Sequence, residues 1–195
     1  AVKLKPNTDT HNNLGVALSA GGKKAEAISN FRMAIKLNAN HDKPHNNLGI
    51  ALAADGKNEE AITHYKMAIK LNPNYTDAHY NLGVILSSEQ KNAEAISHYK
   101  MAIKLNSGYT SSYYNLGIAL SSVGKNEDAI FHFRMAISLN PNHTNAHYNL
   151  GYALVKKGDI KGGVHHYRET LRLRPSFIMA RDNLELALHR LNELD

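Results

Sequence analysis

The stretch AHYNLG at 78–83 returns letter for letter at 146–151, and close copies are PHNNLG at 44–49 and SYYNLG at 112–117. A looser copy, THNNLG, lies at 10–15. Successive copies are 34 residues apart. A fixed period of this length predicts a chain built from stacked copies of one supersecondary unit, since a single unit could not bury its own apolar face.

The period divides the chain into blocks that can be read in one common frame. With the Gly of this motif as position 8, the full blocks are 8–41, 42–75, 76–109, 110–143 and 144–177, followed by a partial block, 178–195. Residues 1–7 resemble the end of an earlier helix. We therefore expect one repeat domain over 1–195, and whether it is a piece of a longer protein is left open.

Each full block carries two apolar stripes with helical spacing. Leu at positions 7 and 11 marks the first helix, helix A, which we expect to break at Gly22, Gly56, Gly124 and Gly158. The second helix, helix B, has in the second block the stripe Ala61, Ile62, Tyr65, Ala68, Ile69 and Leu71. Small residues at positions 8, 20 and 27 let helices approach closely, which offsets the cost of Gly inside a helix. The aromatic residue at position 24 is expected to lie between the two helices.

This pattern resembles the tetratricopeptide repeat family, which has an aromatic at position 4, Leu-Gly at positions 7–8, Ala at 20 and 27, an aromatic at 24 and Pro at 32. Position 4 departs from the family because it is usually His here, and Ala39 and Ser107 replace the Pro. The resemblance covers 8–177. It implies an all-α, right-handed superhelical solenoid of five helix-turn-helix units, and we expect 178–195 to form a capping helix with Leu184, Leu188 and Leu191 inward.

Helix A has a second side that the core stripe leaves unused, and in the family this side lines a concave groove. Position 6 is Asn in every block: Asn13, Asn47, Asn81, Asn115, Asn149 and, in the partial block, Asn183. An amide offers a donor and an acceptor side by side, which complement a peptide backbone. The row resembles the ladder in the repeat domain of O-linked N-acetylglucosamine transferases, which implies binding of extended polypeptide. The alternative is that these amides cap or crosslink adjacent A helices, and both roles can coexist.

Two further rows flank the Asn row on the same predicted side of helix A. Position 5 is Asn12, Asn46, Tyr80, Tyr114 and Tyr148, and position 9 is Val16, Ile50, Val84, Ile118 and Tyr152. Tyrosines beside aliphatic residues predict apolar pockets along the groove. The chaperone-tail clamp of some family members is not expected, because position 9 is aliphatic and position 6 is never a cation.

Catalytic, metal and cofactor chemistry find little support in the composition. The chain has no Cys, which excludes thiolate nucleophiles and cysteine metal sites. The His rows at positions 4 and 23 repeat about 10 Å apart, which is too far for the members of one row to share a metal. No Gly-rich phosphate loop follows a strand pattern. We expect a non-enzymatic protein with no catalytic residue, no metal and no cofactor.

The outward face of helix B carries a basic row and a Met row. The net charge is +6, and cations recur at positions 25 and 29 without the interleaved aromatics that nucleic-acid stacking requires, so we expect a solvated face and no nucleic acid. Met33, Met67, Met101 and Met135 either fill gaps between helices or support self-association into a homo-oligomer. No run of 18 apolar residues occurs, so we expect no membrane span and a cytoplasmic location.

The sequence thus predicts a protein–protein interaction scaffold that binds extended peptide in its groove. Two alternatives remain: a substrate-binding repeat domain of a larger enzyme such as a glycosyltransferase, or a self-assembling structural protein. A ladder that holds backbone tolerates many partner sequences, so the partner itself is not identified by it.

Overall fold

A computed structural model of the chain describes residues 7–193, which form eleven α-helices and no strand. The helices fall into two compact units, one ending at Gln90 and the other beginning at Lys91. The first unit contains α1 (Thr8–Ala20), α2 (Lys24–Leu37), α3 (Asp42–Ala54), α4 (Asn58–Leu71) and α5 (Thr76–Ser88). The second contains α6 (Asn92–Leu105), α7 (Thr110–Ser122), α8 (Asn126–Leu139), α9 (Thr144–Lys157), α10 (Ile160–Leu173) and α11 (Ile178–Asn192).

Odd-numbered helices are the predicted A helices and even-numbered helices are the predicted B helices, so the predicted helix-turn-helix pattern is confirmed. The break between them uses a left-handed backbone, with φ near +77° to +99° at Gly22, Gly56, Gly124 and Gly158. Gln90 occupies the equivalent position after α5 and also has a positive φ, of 61°. Glycine adopts this conformation without steric cost, whereas glutamine does not.

In the core of a repeat, the Gly at position 8 of helix A leaves a notch that the aromatic ring at position 24 of helix B fills. A Cβ added to Gly49 would lie 2.6 Å from the ring of Tyr65, so only glycine leaves room for the ring. The ring itself is 3% exposed. The prediction that position 24 is buried is confirmed throughout, at Phe31, Tyr65, Tyr99, Phe133 and Tyr167.

Consecutive helices pack against each other within each unit, and neighbouring A helices also touch. In the first unit α1 contacts α3 and α3 contacts α5; in the second, α7 contacts α9 and α9 contacts α11. Helix α11 has no B partner among the described residues and packs on α10, with Ala187 buried and Leu184 and Leu188 partly buried against Val164 and Tyr167. The predicted final single helix is therefore confirmed.

The first A helix departs from the predicted core. Leu14 is 47% exposed, whereas its equivalents Leu48 and Leu82 are fully buried. The reason is that no described helix precedes α1 to cover this side. The predicted earlier helix at 1–7 lies outside the described residues except for Asn7, whose Oδ1 accepts a hydrogen bond from the Thr10 amide at 2.9 Å and caps α1. Residues 194 and 195 of the predicted capping helix also lie outside them. A single domain over 1–195 stays a prediction.

Candidate functional site

Two of the three position-6 asparagines of the first unit form hydrogen-bonded rungs between neighbouring A helices. Asn47 on α3 donates through Nδ2 to Oδ1 of Asn12 on α1 at 2.9 Å. Asn81 on α5 donates in the same way to Asn46 on α3 at 3.1 Å. The acceptors Asn12 and Asn46 are 6% and 3% exposed, so each rung also satisfies a buried amide oxygen. Crosslinking of adjacent A helices, one of the two roles the sequence left open, therefore occurs.

The second unit repeats the rung with tyrosine as the acceptor. Asn149 on α9 donates to the hydroxyl of Tyr114 on α7 at 3.2 Å, and Asn183 on α11 donates to the hydroxyl of Tyr148 on α9 at 3.0 Å. Burial raises the pKa of both phenols above the ordinary value, and the asparagine hydrogen bond opposes the shift. Both hydroxyls are therefore neutral at physiological pH and keep a proton that they can donate.

The rungs leave part of each amide unused. No other hydrogen bond from a described residue reaches the side chains of Asn47, Asn81, Asn149 or Asn183. Each amide has two N–H donors and an oxygen with two lone pairs, and the rung takes one donor. All four side chains are partly exposed, so the remaining donor and acceptor are open to a ligand.

Tyr114 and Tyr148 are held in place by neighbouring rings. The ring centroid of Tyr114 lies 4.6 Å from that of His143, and the ring of Tyr148 meets Phe177 edge-on at 4.9 Å. The guanidinium of Arg174 stacks on the ring of Phe177, with Cζ 3.9 Å from the ring centroid. Such packing restricts the orientations that the two tyrosine side chains can adopt.

The position-9 side chains are exposed beside the rungs, as the groove prediction requires of them. Val16, Ile50, Val84, Ile118 and Tyr152 are between 37% and 52% exposed. Leu186 of α11 occupies the same position and is 61% exposed. Leu186 was not among the predicted site residues because the partial block was treated as a cap, although the repeat frame extends to it.

Two adjoining pockets open on this face in the second unit. One, of about 510 Å³, is lined in part by Ile118, Asn149, Tyr152 and Lys156. The other, of about 260 Å³, shares Tyr152 and Lys156 with it and also reaches Arg190. The pockets combine apolar and polar side chains with two cations that sequence reasoning did not single out, and their described linings include none of the tyrosines at position 5.

The remaining predicted site residues differ in exposure. Asn13 is exposed, whereas Tyr80 and Asn115 are half-buried. Asn12 and Asn46, placed on the free side by periodicity, instead lie between neighbouring A helices, because position 5 faces the next repeat. Their side chains serve the rungs and are not offered to a ligand.

Histidines at positions 4 and 23 pair within a repeat. The Nδ1 atoms of His45 and His64 are 3.0 Å apart, and so are those of His147 and His166. In the first repeat His11 bonds instead to Oδ1 of Asn30 at 3.0 Å. The sequence analysis considered distances within each His row and did not predict contacts between the two rows. The described residues contain no group of three or more His, Cys, Asp or Glu side chains arranged to hold a metal.

The outward face of the B helices is charged and partly apolar. Arg32 of α2 forms an ion pair with Glu60 of α4 at 3.1 Å, and both side chains are more than half exposed, so the pair contributes little to stability. Met33 is 41% exposed and Phe131 is 57% exposed. Among the described helices, none combines the length and the apolar character needed to span a membrane.

Models of the tetratricopeptide repeat match most of the chain. One matches 8–41, one described as TPR repeat matches 51–88, one matches 76–109 and 111–143, and one matches 132–162. No curated protein matches the chain significantly in sequence.

Solved structures with the same fold include three proteins that each match most of this chain. YrrB, described as a TPR protein with an unusual peptide-binding site, shares 19% identity with a TM-score of 0.79, over 90% of this chain and 91% of that one. MamA from Desulfovibrio magneticus RS-1 shares 25% identity with a TM-score of 0.79, over 87% and 96%. PilF from Pseudomonas aeruginosa shares 19% identity with a TM-score of 0.77, over 96% and 91%.

Sequence period, helix pairing and the notch that seats an aromatic ring agree with these matches. The chain belongs to the tetratricopeptide repeat family.

Proposed function

We propose that this protein is an interaction scaffold that binds extended peptide segments along the A-helix faces of its units. The observation that carries the proposal is the half-used amide at position 6. Each of Asn47, Asn81, Asn149 and Asn183 uses one N–H in a rung, and its second N–H and its carbonyl oxygen have no partner among the described residues. A peptide unit has one donor and one acceptor, so it matches what remains.

The crosslinking role supports the binding role. An exposed asparagine on an isolated helix would rotate freely and lose side-chain entropy on binding. The rung holds each amide against a buried or ring-packed acceptor, which orients the free donor and acceptor in advance.

Repeat spacing matches peptide spacing. Neighbouring packed helices lie about 8–10 Å apart, whereas an extended chain advances about 3.3 Å per residue, so one rung meets roughly every third peptide residue. The exposed position-9 residues beside the rungs supply apolar contact for the intervening side chains. YrrB has a peptide-binding site on this same fold, which supports the proposal at the level of the fold only.

The direct test alters the peptide backbone while keeping its side chains. We would screen unrelated extended peptides for binding, then compare the tightest binder with versions N-methylated at single positions, using calorimetry. We expect affinity to fall when an N–H facing a rung is removed, with a period of about three residues. Equal affinity for every N-methylated version would contradict backbone recognition.

The protein variants for this test lie in the second unit. Asn149→Ala and Asn183→Ala should weaken peptide binding, each lost hydrogen bond being worth about 0.5–1.5 kcal/mol. The matched control is Asn142→Ala, which makes the same change at an exposed asparagine in the turn between α8 and α9, outside the rungs. Weakening by the control to the same degree would show that the rungs are not the site.

Self-association is the alternative that a specific observation favours. Met33 and Met67 are exposed on the B helices of the first unit, and Met101 and Phe131 on those of the second. A contiguous exposed apolar patch marks a contact surface in many proteins. Light scattering at two concentrations distinguishes the two functions, because a peptide-binding scaffold stays at one mass while self-assembly raises the mass with concentration.

A further inference from the structure

The A-helix face of the second unit differs from that of the first in charge. Position 13, in the last turn of each A helix, is Ala20, Ala54 and Ser88 in the first unit. In the second unit it is Ser122, then Lys156 on α9 and Arg190 on α11. At position 13, cations therefore occur only on the final two A helices.

Both cations line one pocket. Lys156 and Arg190 flank the pocket of about 260 Å³, whose wall also includes Tyr152, Asn183 and Leu186. Lys156 also lines the neighbouring pocket of about 510 Å³. Neither pocket has an aspartate or glutamate among the described residues that line it. Two positive charges thus face a cleft with no acidic counterpart in its wall.

Nearby acidic groups are engaged elsewhere or lie on another face. Lys157, which follows Lys156, is paired with Glu127 at 2.7 Å, and Oε1 of Glu193 lies 3.3 Å from Nδ1 of His189. No ion pair involving Lys156 or Arg190 occurs within the described part of the chain. On α11, Arg190 follows Asn183 and Leu186 at helical spacing, so it shares their face. The exposed Asp182 and Glu185 are not among the residues of either pocket.

We propose that this pocket between α9 and α11 binds an acidic side chain, aspartate or glutamate, of the peptide held on the second unit. The inference rests on the proposed function and names the partner chemistry at one end of that face. Arginine binds a carboxylate through two parallel N–H donors, lysine adds a second charge, and the N–H of Asn183 that the rung leaves unused adds a neutral donor. The exposed Tyr152 and Leu186 contact apolar residues next to the acidic one.

The probes are two capped peptides of about nine residues, enough to cross the three A helices of this unit at about 3.3 Å per residue. One repeats Leu-Ser-Glu and the other repeats Leu-Ser-Gln, with acetylated and amidated ends so that neither has a terminal carboxylate. Fluorescence anisotropy at low and high salt measures both affinities. We expect the Glu peptide to bind roughly tenfold more tightly at low salt, with the difference shrinking as salt screens the charges.

The variant combines Lys156→Ser with Arg190→Ser, since serine already occupies this position at Ser88 and Ser122. The matched control combines Lys161→Ser with Arg168→Ser, which removes the same charge from exposed positions on the B helix α10. The preference for the Glu peptide should vanish in the variant and persist in the control. Combining Lys156→Glu with Arg190→Glu should shift the preference to a peptide that repeats Leu-Ser-Lys, which shows that the variant protein still folds and binds.

Two failures are distinguishable. If the wild type binds the Glu and Gln peptides equally well, or if the control loses the preference as fully as the variant, the acidic pocket is wrong while peptide binding stands. If neither peptide binds, the scaffold proposal and the pocket proposal both fail.

Discussion

The Nδ1 atom of His147 lies 3.0 Å from the Nδ1 atom of His166, across the two helices of one repeat. Nε2 of His147 is also 3.0 Å from the carbonyl oxygen of Pro141. A carbonyl only accepts, so Nε2 of His147 carries the hydrogen and its Nδ1 accepts from Nδ1–H of His166. A second proton on His147 would set two N–H groups against each other. His45 has the same arrangement with His64 and the carbonyl of Ala39.

These pairs predict that the protein loses stability in mild acid. Burial, and then the charges of His147, His165 and Arg134, lower the pKa of His166 to about 4. Glu169 opposes this shift, and burial also lowers the pKa values of His45 and His64. The unfolded chain therefore binds more protons than the folded one between the ordinary value of 6.5 and about 4. We expect the free energy of unfolding to be steady above this window and to fall as pH decreases through it.

The matched variants are His64→Asn and His166→Asn, because Asn30 occupies the same position in the first repeat and bonds to His11. Asparagine keeps a hydrogen-bond partner and does not titrate. Urea melts at several pH values should show a shallower pH dependence in the double variant. An unchanged dependence would mean that other groups control the acid response.

The notch at Gly49 predicts a steric penalty. In Gly49→Ala the new methyl group would lie 2.6 Å from the Tyr65 ring, so the ring or the helices must shift. We expect a loss of about 1–3 kcal/mol in a urea melt, despite the better helix propensity of alanine. Gly21→Ala is the control, since its Cβ would meet its nearest atom at 3.5 Å and the backbone there has φ of −80°. Equal stability of Gly49→Ala and the wild type would show that the notch is not tight.

The rungs of the two units should differ in their contribution to stability. Asn81→Ala leaves Oδ1 of Asn46, 3% exposed, without its donor, which costs about 1–3 kcal/mol. Asn183→Ala removes the donor to the hydroxyl of Tyr148, a residue that is only half-buried, so we expect a smaller loss than for Asn81→Ala. Denaturant melts of the two variants test this order, and the reverse order would contradict it.

The left-handed residue after α5 offers a stabilising substitution. Gln90 has φ of 61° where four equivalent positions are glycine. Relief of this strain, about 1–2 kcal/mol, exceeds the entropy that glycine loses on folding, so Gln90→Gly should stabilise by about 0.5–1 kcal/mol. The reciprocal change Gly124→Gln should destabilise, since Gly124 has φ of 79° and no atom lies near its Cβ to cause another effect. If both changes are neutral in thermal melts, the backbone argument fails.

Much of the fold could be predicted because each repeat carries the local sequence signals for where its helices begin, end and pack. The Leu stripe marked helix A, glycine marked its end, and the aromatic at position 24 marked the core. The burial of Asn12 and Asn46 could not be predicted, since periodicity gives the side of a helix and not the distance to the next A helix. The histidine pairs were missed for a related reason, because the distance between positions 4 and 23 depends on how the two helices of a repeat cross.

The candidate site was predictable in kind and incomplete in extent. The rows at positions 6 and 9 were found from the sequence, but Leu186, Lys156 and Arg190 follow only when the same frame is carried into the last helix and to position 13. The exposure of Leu14 could not be predicted from the repeat pattern, because the pattern gives the same burial for this position in every repeat.

The notch and its ring lie in the same repeat: Gly15 faces Phe31, and Gly117 faces Phe133. A copied segment of 34 residues therefore brings both complementary parts with it. Position 24 can therefore be phenylalanine in one repeat and tyrosine in another without a compensating change in the neighbouring repeat. Duplication of a repeat can thus lengthen such an array by a whole unit, and each new copy is free to vary at positions 5, 9 and 13 and so to acquire a binding preference of its own.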